Sequence, residues 1–191
     1  RIGTDSVSLE MLEFFKGSGL VTSHVQFDEL RTVGVYTISV DRSGERSFSY
    51  WRGQSAARRL ASDFLILEAA MKDCDLIYLS GITASIIDQA GRKNILSCLR
   101  SAKKKGTLIA YDPNYRYNLW SSLAVMKKFT SEIVPLADII LPTFDDELKA
   151  FGDVETKDTF RRLSELGCSE IVLKNGVQKT EAMSSETMIE I

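Results

Sequence analysis

Short apolar runs alternate with stretches of helical spacing along most of the chain beyond residue 52. Helical periodicity occurs near 85–105, 119–134 and 156–166. Each apolar run is almost continuously hydrophobic and is bounded by polar residues or Gly, which is typical of strands covered on both faces. The runs are 76–79, 107–111, 139–141 and 171–173. This alternation predicts an α/β fold, a parallel sheet with right-handed crossovers flanked by helices.

In the segment before this alternation, residue types repeat with a period of two, which is typical of β-strands. Residues 32–40 and 46–52 are strand-like runs joined by a polar turn that contains Gly, and they predict a β-hairpin. In the second run, alternation places four side chains on one face: Arg46, Phe48, Tyr50 and Arg52. The hairpin, residues 32–52, lies outside the helix–strand alternation. We therefore expect it to be an appendage to an α/β body formed by 1–31 and 53–191.

An amphipathic pattern near the start of the chain predicts a helix over residues 5–16. Its apolar side chains share one face at helical spacing: Val7, Met11, Phe14 and Phe15. Asp5 is a candidate N-cap, and Gly17-Ser18-Gly19 is a candidate helix end. Because these glycines follow a helix rather than a strand, they predict a helix end and not a phosphate loop.

Composition and charge narrow the class of protein. The chain has 191 residues, Lys+Arg 24, Asp+Glu 26, a formal net charge of -2 and 44% hydrophobic residues. The apolar fraction suffices for a core, and the basic excess that attracts nucleic acid is absent. No apolar run approaches the roughly 18 residues that span a bilayer. We expect a globular protein of one domain, or two at most, with neither a nucleic-acid nor a membrane partner.

The cysteines predict no structural zinc site. Cys74, Cys98 and Cys168 are odd in number and far apart, and the sequence contains neither a CxxC pair nor a Cys/His cluster. This pattern indicates reduced thiols, and it favours a cytoplasmic protein.

Candidate chemistry lies after the apolar runs, because ligands of open parallel sheets bind beyond the carboxyl ends of the strands. The segment 112–116 places Asp112, Asn114 and Arg116 at one such end. The Arg fork suits carboxylate or phosphate oxygens, and Asn can orient a sugar hydroxyl or a phosphate. The same segment suits a plain turn, in which Pro113 fixes the backbone. Spacing alone leaves both interpretations open.

Two further groups carry alternative interpretations. Asp145-Asp146-Glu147 opens a predicted helix, where acids suit the macrodipole, but a carboxylate there also suits water-mediated contact with a divalent cation. On the hairpin, Tyr36 and Tyr50 can cover the sheet beneath, and Arg52 can be a solvated edge residue. Alternatively, this aromatic and Arg surface closes over a polar, anionic small molecule.

The order of these segments resembles that in the PfkB, or ribokinase-like, sugar kinases, and most closely in the 2-keto-3-deoxygluconate kinases. Each segment alone is weakly specific, but their order and spacing together are fairly specific. The series covers nearly the whole chain. The matching segments are Gly3-Thr4-Asp5, 33–36, 44–52, 55–57, 112–116 with Leu119-Trp120, 141–147 and 172–176.

The resemblance implies a ribokinase-like body in which the hairpin serves as a lid. It implies that Tyr36, Tyr50 and Arg52 contact a sugar acid, with Arg52 pairing its carboxylate. It also implies that Asn114 and Arg116 lie near the transferring phosphate and the substrate, with Arg116 on the substrate side.

The nucleotide side follows from the same resemblance. Lys174 and Gly176 are implied to border the nucleotide. The family's Asn-x-x-Glu motif is altered, because Thr143 stands in the Asn position and Asp146 in the Glu position. Both are candidates for phosphate binding, and no direct metal ligand is assigned.

Two family elements have no counterpart between residues 1 and 191. These are a strand with a Gly-Gly substrate motif and the Gly-Ala-Gly-Asp motif, which supplies an anion hole and the base. The sequence therefore resembles the middle portion of a longer kinase, and no catalytic residue is assigned within it.

The predicted reaction is transfer of the γ-phosphoryl group of ATP, with Mg²⁺, to a hydroxyl of a keto-deoxy sugar acid. We expect a homo-oligomer formed through the lid. Two alternatives stay open. One is a related kinase for a neutral sugar such as fructose or ribose, or for a nucleoside. The other is a non-catalytic remnant that binds a sugar or forms a lid-mediated dimer.

Overall fold

A computed structural model describes residues 1–184 and 187–190, and its amino-terminal part confirms the predicted first helix. Strand β1 (Ile2–Gly3) pairs in parallel with β2 (Phe27–Asp28), and helix α1 (Ser6–Gly17) lies between them in sequence. The Asp5 carboxylate caps α1 by accepting a hydrogen bond from the Ser8 N–H at 3.1 Å. Gly19, with φ of 81°, follows the helix end in the left-handed region that favours glycine.

The predicted hairpin is also confirmed. Strands β3 (Val35–Val40) and β4 (Arg46–Trp51) pair antiparallel, and they form a two-stranded sheet of their own. The Asp41 carboxylate closes the turn by accepting hydrogen bonds from the Ser43 and Glu45 N–H groups. Every residue of both strands is exposed. The hairpin therefore contributes nothing to the buried core of the chain.

The body is built on a six-stranded sheet with helices along it. In chain order its elements are α2 (Phe64–Ala70), β5 (Leu76–Ser80), α3 (Gly81–Ile86), α4 (Gln89–Lys104), β6 (Leu108–Asp112), α5 (Leu123–Ile133), β7 (Ile139–Ile140), α6 (Phe144–Phe151), α7 (Thr156–Glu165), β8 (Glu170–Leu173), β9 (Glu181–Ser184) and β10 (Thr187–Glu190). The strand order is β10-β9-β8-β7-β6-β5. Strands β5 to β8 are parallel, as predicted, whereas β9 and β10 continue the sheet antiparallel.

The helical stretch predicted near 85–105 is two helices rather than one. Ile87 is extended, with φ of -88° and ψ of 162°, and it separates α3 from α4. The next residue, Asp88, caps α4 by accepting the Gly91 N–H at 2.7 Å. A local side-chain cap therefore interrupts the periodic pattern and starts a new helix.

The core lies on one side of the parallel strands. Ile109, Ile140 and Ile171 are fully buried on adjacent strands, and the core includes residues of α4, α5 and α7: Ile95, Leu99, Met126, Ile133 and Leu163. The expectation that every apolar run is covered on both faces is wrong for β5 and β6. Leu76, Tyr78 and Leu108 are about half exposed, because no described element packs over that face. Every helix in the described ranges is too short or too polar to span a lipid bilayer.

Gly81 fixes the approach of α3 to the segment that follows β6. A Cβ built on this buried residue would lie 1.9 Å from the Pro113 carbonyl oxygen, so that a side chain here forces backbone to move. We expect Gly81→Ala to lower the free energy of unfolding by about 3 kcal/mol or more, as measured by denaturant unfolding.

Gly17→Ala is the matched control, because the added Cβ meets no described atom within 4 Å apart from its chain neighbours and its own helix backbone, and φ is not positive. Its free energy of unfolding is expected to stay within about 1 kcal/mol of wild type. Equal effects of the two substitutions would show that the approach to Pro113 is not a constraint.

Candidate active site

The carboxyl ends of β5 to β8 meet at one edge of the sheet, where the sequence predicts the site. Asp112, the last residue of β6, accepts a hydrogen bond from the Tyr78 hydroxyl at 3.2 Å. Its other carboxylate oxygen lies 3.1 Å from Lys174 Nζ. Tyr78 belongs to β5, and Lys174 follows β8. One carboxylate therefore links the middle of β5 to the ends of β6 and β8, and Lys174 is already paired with an acid.

The segment after Asp112 is held by a buried tyrosine. Tyr115 is 2% exposed, and its hydroxyl lies 3.2 Å from Thr130 Oγ1. On one side of it, Asn114 has φ of 35°, in the left-handed region that non-glycine residues seldom adopt. On the other side, Arg116 is exposed. The buried Tyr115 side chain therefore anchors the backbone on which Asn114 and Arg116 lie.

A cleft of about 550 Å³ lies between the hairpin and the strand ends, which is within the usual size of a small-molecule site. Tyr50 and Arg52 line it from the hairpin side, and Arg116 and Asp146 line it from the strand ends. These four residues were predicted from three separate segments of the sequence. The fold brings them to one cavity.

Stacked side chains order the hairpin wall of the cleft. The Arg52 guanidinium lies 4.1 Å from the centroid of the Tyr50 ring, a cation–π contact. The Tyr36 ring is 6.0 Å from that of Tyr50 and 6.2 Å from that of Phe48. Tyr36 itself is not among the described residues that line the cleft. It supports Tyr50 instead.

The cleft also contains cations that the sequence did not single out. Arg58 and Lys149 line it, so that its described lining holds four cations, Arg52, Arg58, Arg116 and Lys149, against the single acid Asp146. Lys149 was detectable in principle, because it follows Asp146 by three residues and shares its helix face. Arg58 gave no such signal, since it follows the hairpin and not a strand end.

Asp146 contributes the negative charge of this wall. Burial raises the pKa of its carboxyl above the ordinary value, although Arg116 and Lys149 act to lower it. The Tyr117 hydroxyl donates to the Asp146 carbonyl at 2.8 Å. The first turn of α6 is therefore tied to the segment that follows Arg116.

The remaining predicted residues form a second group beside the cleft. Thr143 and Lys174 are bridge partners at neighbouring strand ends, and the Phe144 N–H donates to the Lys174 carbonyl at 2.9 Å. Gly176 follows with φ of 58°. Neither these residues nor Asn114 belongs to the described lining of the cleft. The second group therefore comprises Asn114, Thr143, Lys174 and Gly176, whereas Asp146, which was predicted with them to bind phosphate, lies in the cleft with predicted substrate residues.

The acidic triplet at the start of α6 divides into three environments. Asp145 is exposed, Asp146 faces the cleft and Glu147 is fully buried. Glu147 Oε2 accepts from Arg162 Nη2 at 2.8 Å, and Arg162 also donates to Asp153 at 2.6 Å. This buried network joins α6 to α7. The residues that the structure describes hold no cluster of three His, Cys, Asp or Glu side chains suited to a metal ion.

Burial governs the titration of Glu147. It raises the pKa of this carboxyl to about 7, although Arg162 acts to lower it. The folded protein therefore keeps a proton there that the unfolded chain releases at lower pH. The contribution of this group to stability is lost as pH rises through about 7.

The chain is similar to known proteins along almost its whole length. The family described as pfkB family carbohydrate kinase matches residues 1–190. A 2-dehydro-3-deoxygluconokinase of Haemophilus influenzae is 40% identical over 177 residues, which cover 92% of this chain and 56% of the relative. One of Dickeya dadantii is 33% identical over 193 residues, 100% of this chain and 62% of the relative. The chain thus spans about 56–62% of the length of these curated relatives.

Solved structures confirm the predicted fold class. A PfkB protein from Polaromonas sp. JS666 has a TM-score of 0.88 at 22% identity, covering 100% of this chain and 64% of its own. Fructokinase with bound ATP from Xylella fastidiosa has a TM-score of 0.82 at 16% identity. The match covers 100% of this chain and 60% of the fructokinase chain. At these identities the likeness shows the fold alone, a ribokinase-like body with its hairpin.

Replacement of Glu147 by Gln tests the buried network. Gln keeps the shape but cannot ionise, so the variant lacks the loss of stability that wild type suffers as Glu147 ionises. We expect the free energy of unfolding of Glu147→Gln, relative to wild type, to increase between pH 5 and pH 8 in denaturant titrations. Asp145→Asn is the control, because Asp145 is exposed. A relative stability that does not change with pH would contradict the assignment.

Proposed function

Because the chain belongs to the pfkB family of carbohydrate kinases, we propose that the whole protein phosphorylates 2-keto-3-deoxygluconate, also called 2-dehydro-3-deoxygluconate. The γ-phosphoryl group of ATP is transferred to a hydroxyl of this sugar acid. The observation that carries the proposal is the excess of cations in the cleft, four against one acid. A neutral sugar offers these cations no partner, whereas a sugar acid offers a carboxylate. The names of the two curated relatives described above support the same substrate.

On the substrate side, Arg52 pairs the carboxylate of the sugar acid. Its stacking on Tyr50 holds the guanidinium plane beside the cleft, and a planar fork suits a carboxylate better than a point charge does. Tyr36 orders Tyr50 through ring contact. Arg116, on the opposite wall, lies near the sugar and the phosphoryl group in transfer, where it neutralises developing charge.

On the nucleotide side, the second group of residues binds ATP. Asn114 and Thr143 contact phosphate oxygens, while Lys174 and Gly176 border the nucleotide. Their places at neighbouring strand ends support this assignment, because nucleotides bind at that edge of open sheets. The similar fructokinase that contains bound ATP is consistent with it.

The donor set of the site fits a magnesium ion held mainly by phosphates and water. Mg²⁺ usually keeps several waters and takes one or two protein carboxylates beside substrate phosphates. Asp146 offers one carboxylate in the cleft, whereas Asp112 is engaged with Lys174 and Tyr78. Asp146 would hold the ion through water, and the bound ion would supply charge neutralisation at the phosphates.

The proposal places this reaction in the cytoplasm. Cys74, Cys98 and Cys168 are free thiols, which agrees with a reducing compartment.

Steady-state kinetics of the full-length protein test the substrate. We expect turnover of 2-keto-3-deoxygluconate with ATP and Mg²⁺, and a KM for this acid about 10- to 100-fold higher in Arg52→Ala, because a charge-assisted hydrogen bond is lost. The KM for fructose should change little. Arg42→Ala, in the exposed hairpin turn, is the control. Turnover of a neutral sugar without turnover of the acid would contradict the proposal.

We also propose that the hairpin pairs with a second copy of the protein. Its face formed by Tyr36, Ile38, Val40, Phe48 and Tyr50 is about half exposed, and an isolated two-stranded hairpin is marginally stable in water. Arg46 lies at the turn end of the same face, and a second hairpin would remove the apolar side chains of this face from water.

Size-exclusion chromatography with light scattering tests this pairing in the full-length protein. We expect a dimer that Phe48→Arg converts to monomer, because the new charge lies on the apolar face. Ser47→Arg is the matched control on the opposite face of the same strand, and it should leave the dimer intact. A wild-type monomer, or dissociation by both variants, would refute pairing through the apolar face.

A further inference from the structure

The four cations of the cleft divide by the partners they have. The charges of Arg116 and Lys149 both act to lower the pKa of Asp146, which burial raises overall, so this acid balances part of their charge. Arg52 and Arg58, in contrast, form no ion pair with any described residue. The Arg58 side chain also makes no hydrogen bond within the described part of the chain, although it is partly buried.

The backbone that carries Arg58 is firmly anchored. Arg58 lies in a short 3-10 helix, Ala56–Arg59, that follows the hairpin. Ala56 is fully buried, and its N–H donates to the Thr32 carbonyl at 2.8 Å. Just beyond the helix, the Leu60 carbonyl accepts from Gln26 Nε2 at 3.0 Å. An unpaired guanidinium on fixed backbone, beside a cleft, is suited to binding an anion.

The neighbouring arginine provides an internal comparison. Arg59 follows in the same short helix, but its guanidinium lies 3.8 Å from the Asp28 carboxylate, and it does not belong to the described lining of the cleft. The two adjacent arginines therefore differ. Arg59 has an acidic partner and lies outside the described cleft lining, whereas Arg58 lines the cleft and has no ion-pair partner among the described residues.

We propose that Arg58 is a specificity-determining residue that binds the substrate carboxylate together with Arg52. The proposal rests on the function proposed above and deepens it. A carboxylate has two oxygens with about four lone-pair positions, which is more than one guanidinium fork satisfies. Arg52 approaches from the hairpin and Arg58 from the body, so the two together saturate the anion. Substrates that carry CH₂OH in place of the carboxylate gain nothing from this pair.

Kinetics of full-length Arg58→Ala test the assignment with two substrates. These are 2-keto-3-deoxygluconate and 3-deoxyfructose, which has CH₂OH in place of the carboxylate. We expect the KM for the acid to rise about 10- to 100-fold, with the KM for ATP and the KM for 3-deoxyfructose within about twofold of wild type. Arg58→Lys should recover only part of the loss, because an ammonium lacks the planar fork.

Arg59→Ala is the matched control and should keep the wild-type KM for the acid. The unfolding midpoint of Arg58→Ala should equal that of wild type, because the Arg58 side chain has no hydrogen-bond or ion-pair partner among residues 1–184 and 187–190. An equal rise in KM for the acid and for 3-deoxyfructose, or a rise confined to ATP, overturns the proposal.

Equilibrium binding separates this proposal from the proposed function. If the wild type fails to phosphorylate the acid, the proposed function fails, and calorimetric titration with the acid then tests Arg58 by itself. A Kd that is about 10-fold weaker in Arg58→Ala supports the carboxylate subsite. The same Kd in both proteins, or no binding of the acid to wild type, overturns it.

Discussion

The contact between Gly81 and the Pro113 carbonyl sets the geometry on which the site depends. Strands β5 and β6 pair over five residues and end at the same level. The residues that follow β5 and those that follow β6 therefore lie close to each other. The absence of a side chain at Gly81 allows this approach. Asp112 carries the alignment onward to β8 through Lys174. The approach of Gly81 to Pro113 and the ion pair of Asp112 with Lys174 thus hold the chain together where it leaves β5, β6 and β8.

Charge is distributed unevenly around this surface. The chain as a whole is nearly neutral, yet the cleft gathers cations, and the nearest buried acids, Glu147 and Asp153, are turned inward to Arg162. The acids that would cancel the field of the cleft are thereby neutralised within the core. Because the charges are separated between the two sides of α6, the cleft attracts a small anion although the protein as a whole is not basic.

Local signals in the sequence predicted much of the fold. The Asp5 cap, the hairpin and the parallel strand ends depend on neighbouring residues, and the structure confirms them. The antiparallel strands β9 and β10 and the open face of β5 and β6 were missed, because they depend on what packs against each strand. In the site, Arg58 was missed for the same reason. Its proposed role rests on the lack of an ion-pair partner in the described part of the chain, which is a tertiary property.

The pairing of Lys174 with Asp112 turns anion binding at this ammonium into an exchange. An incoming phosphate does not meet a free cation, because it must displace a carboxylate already 3.1 Å away. The net free energy of binding is therefore the difference between the contact of Lys174 with phosphate and its contact with Asp112. In the proposed function, a phosphate group that binds Lys174 therefore contributes less free energy than it would at a free ammonium, because the contact with Asp112 is lost when it binds.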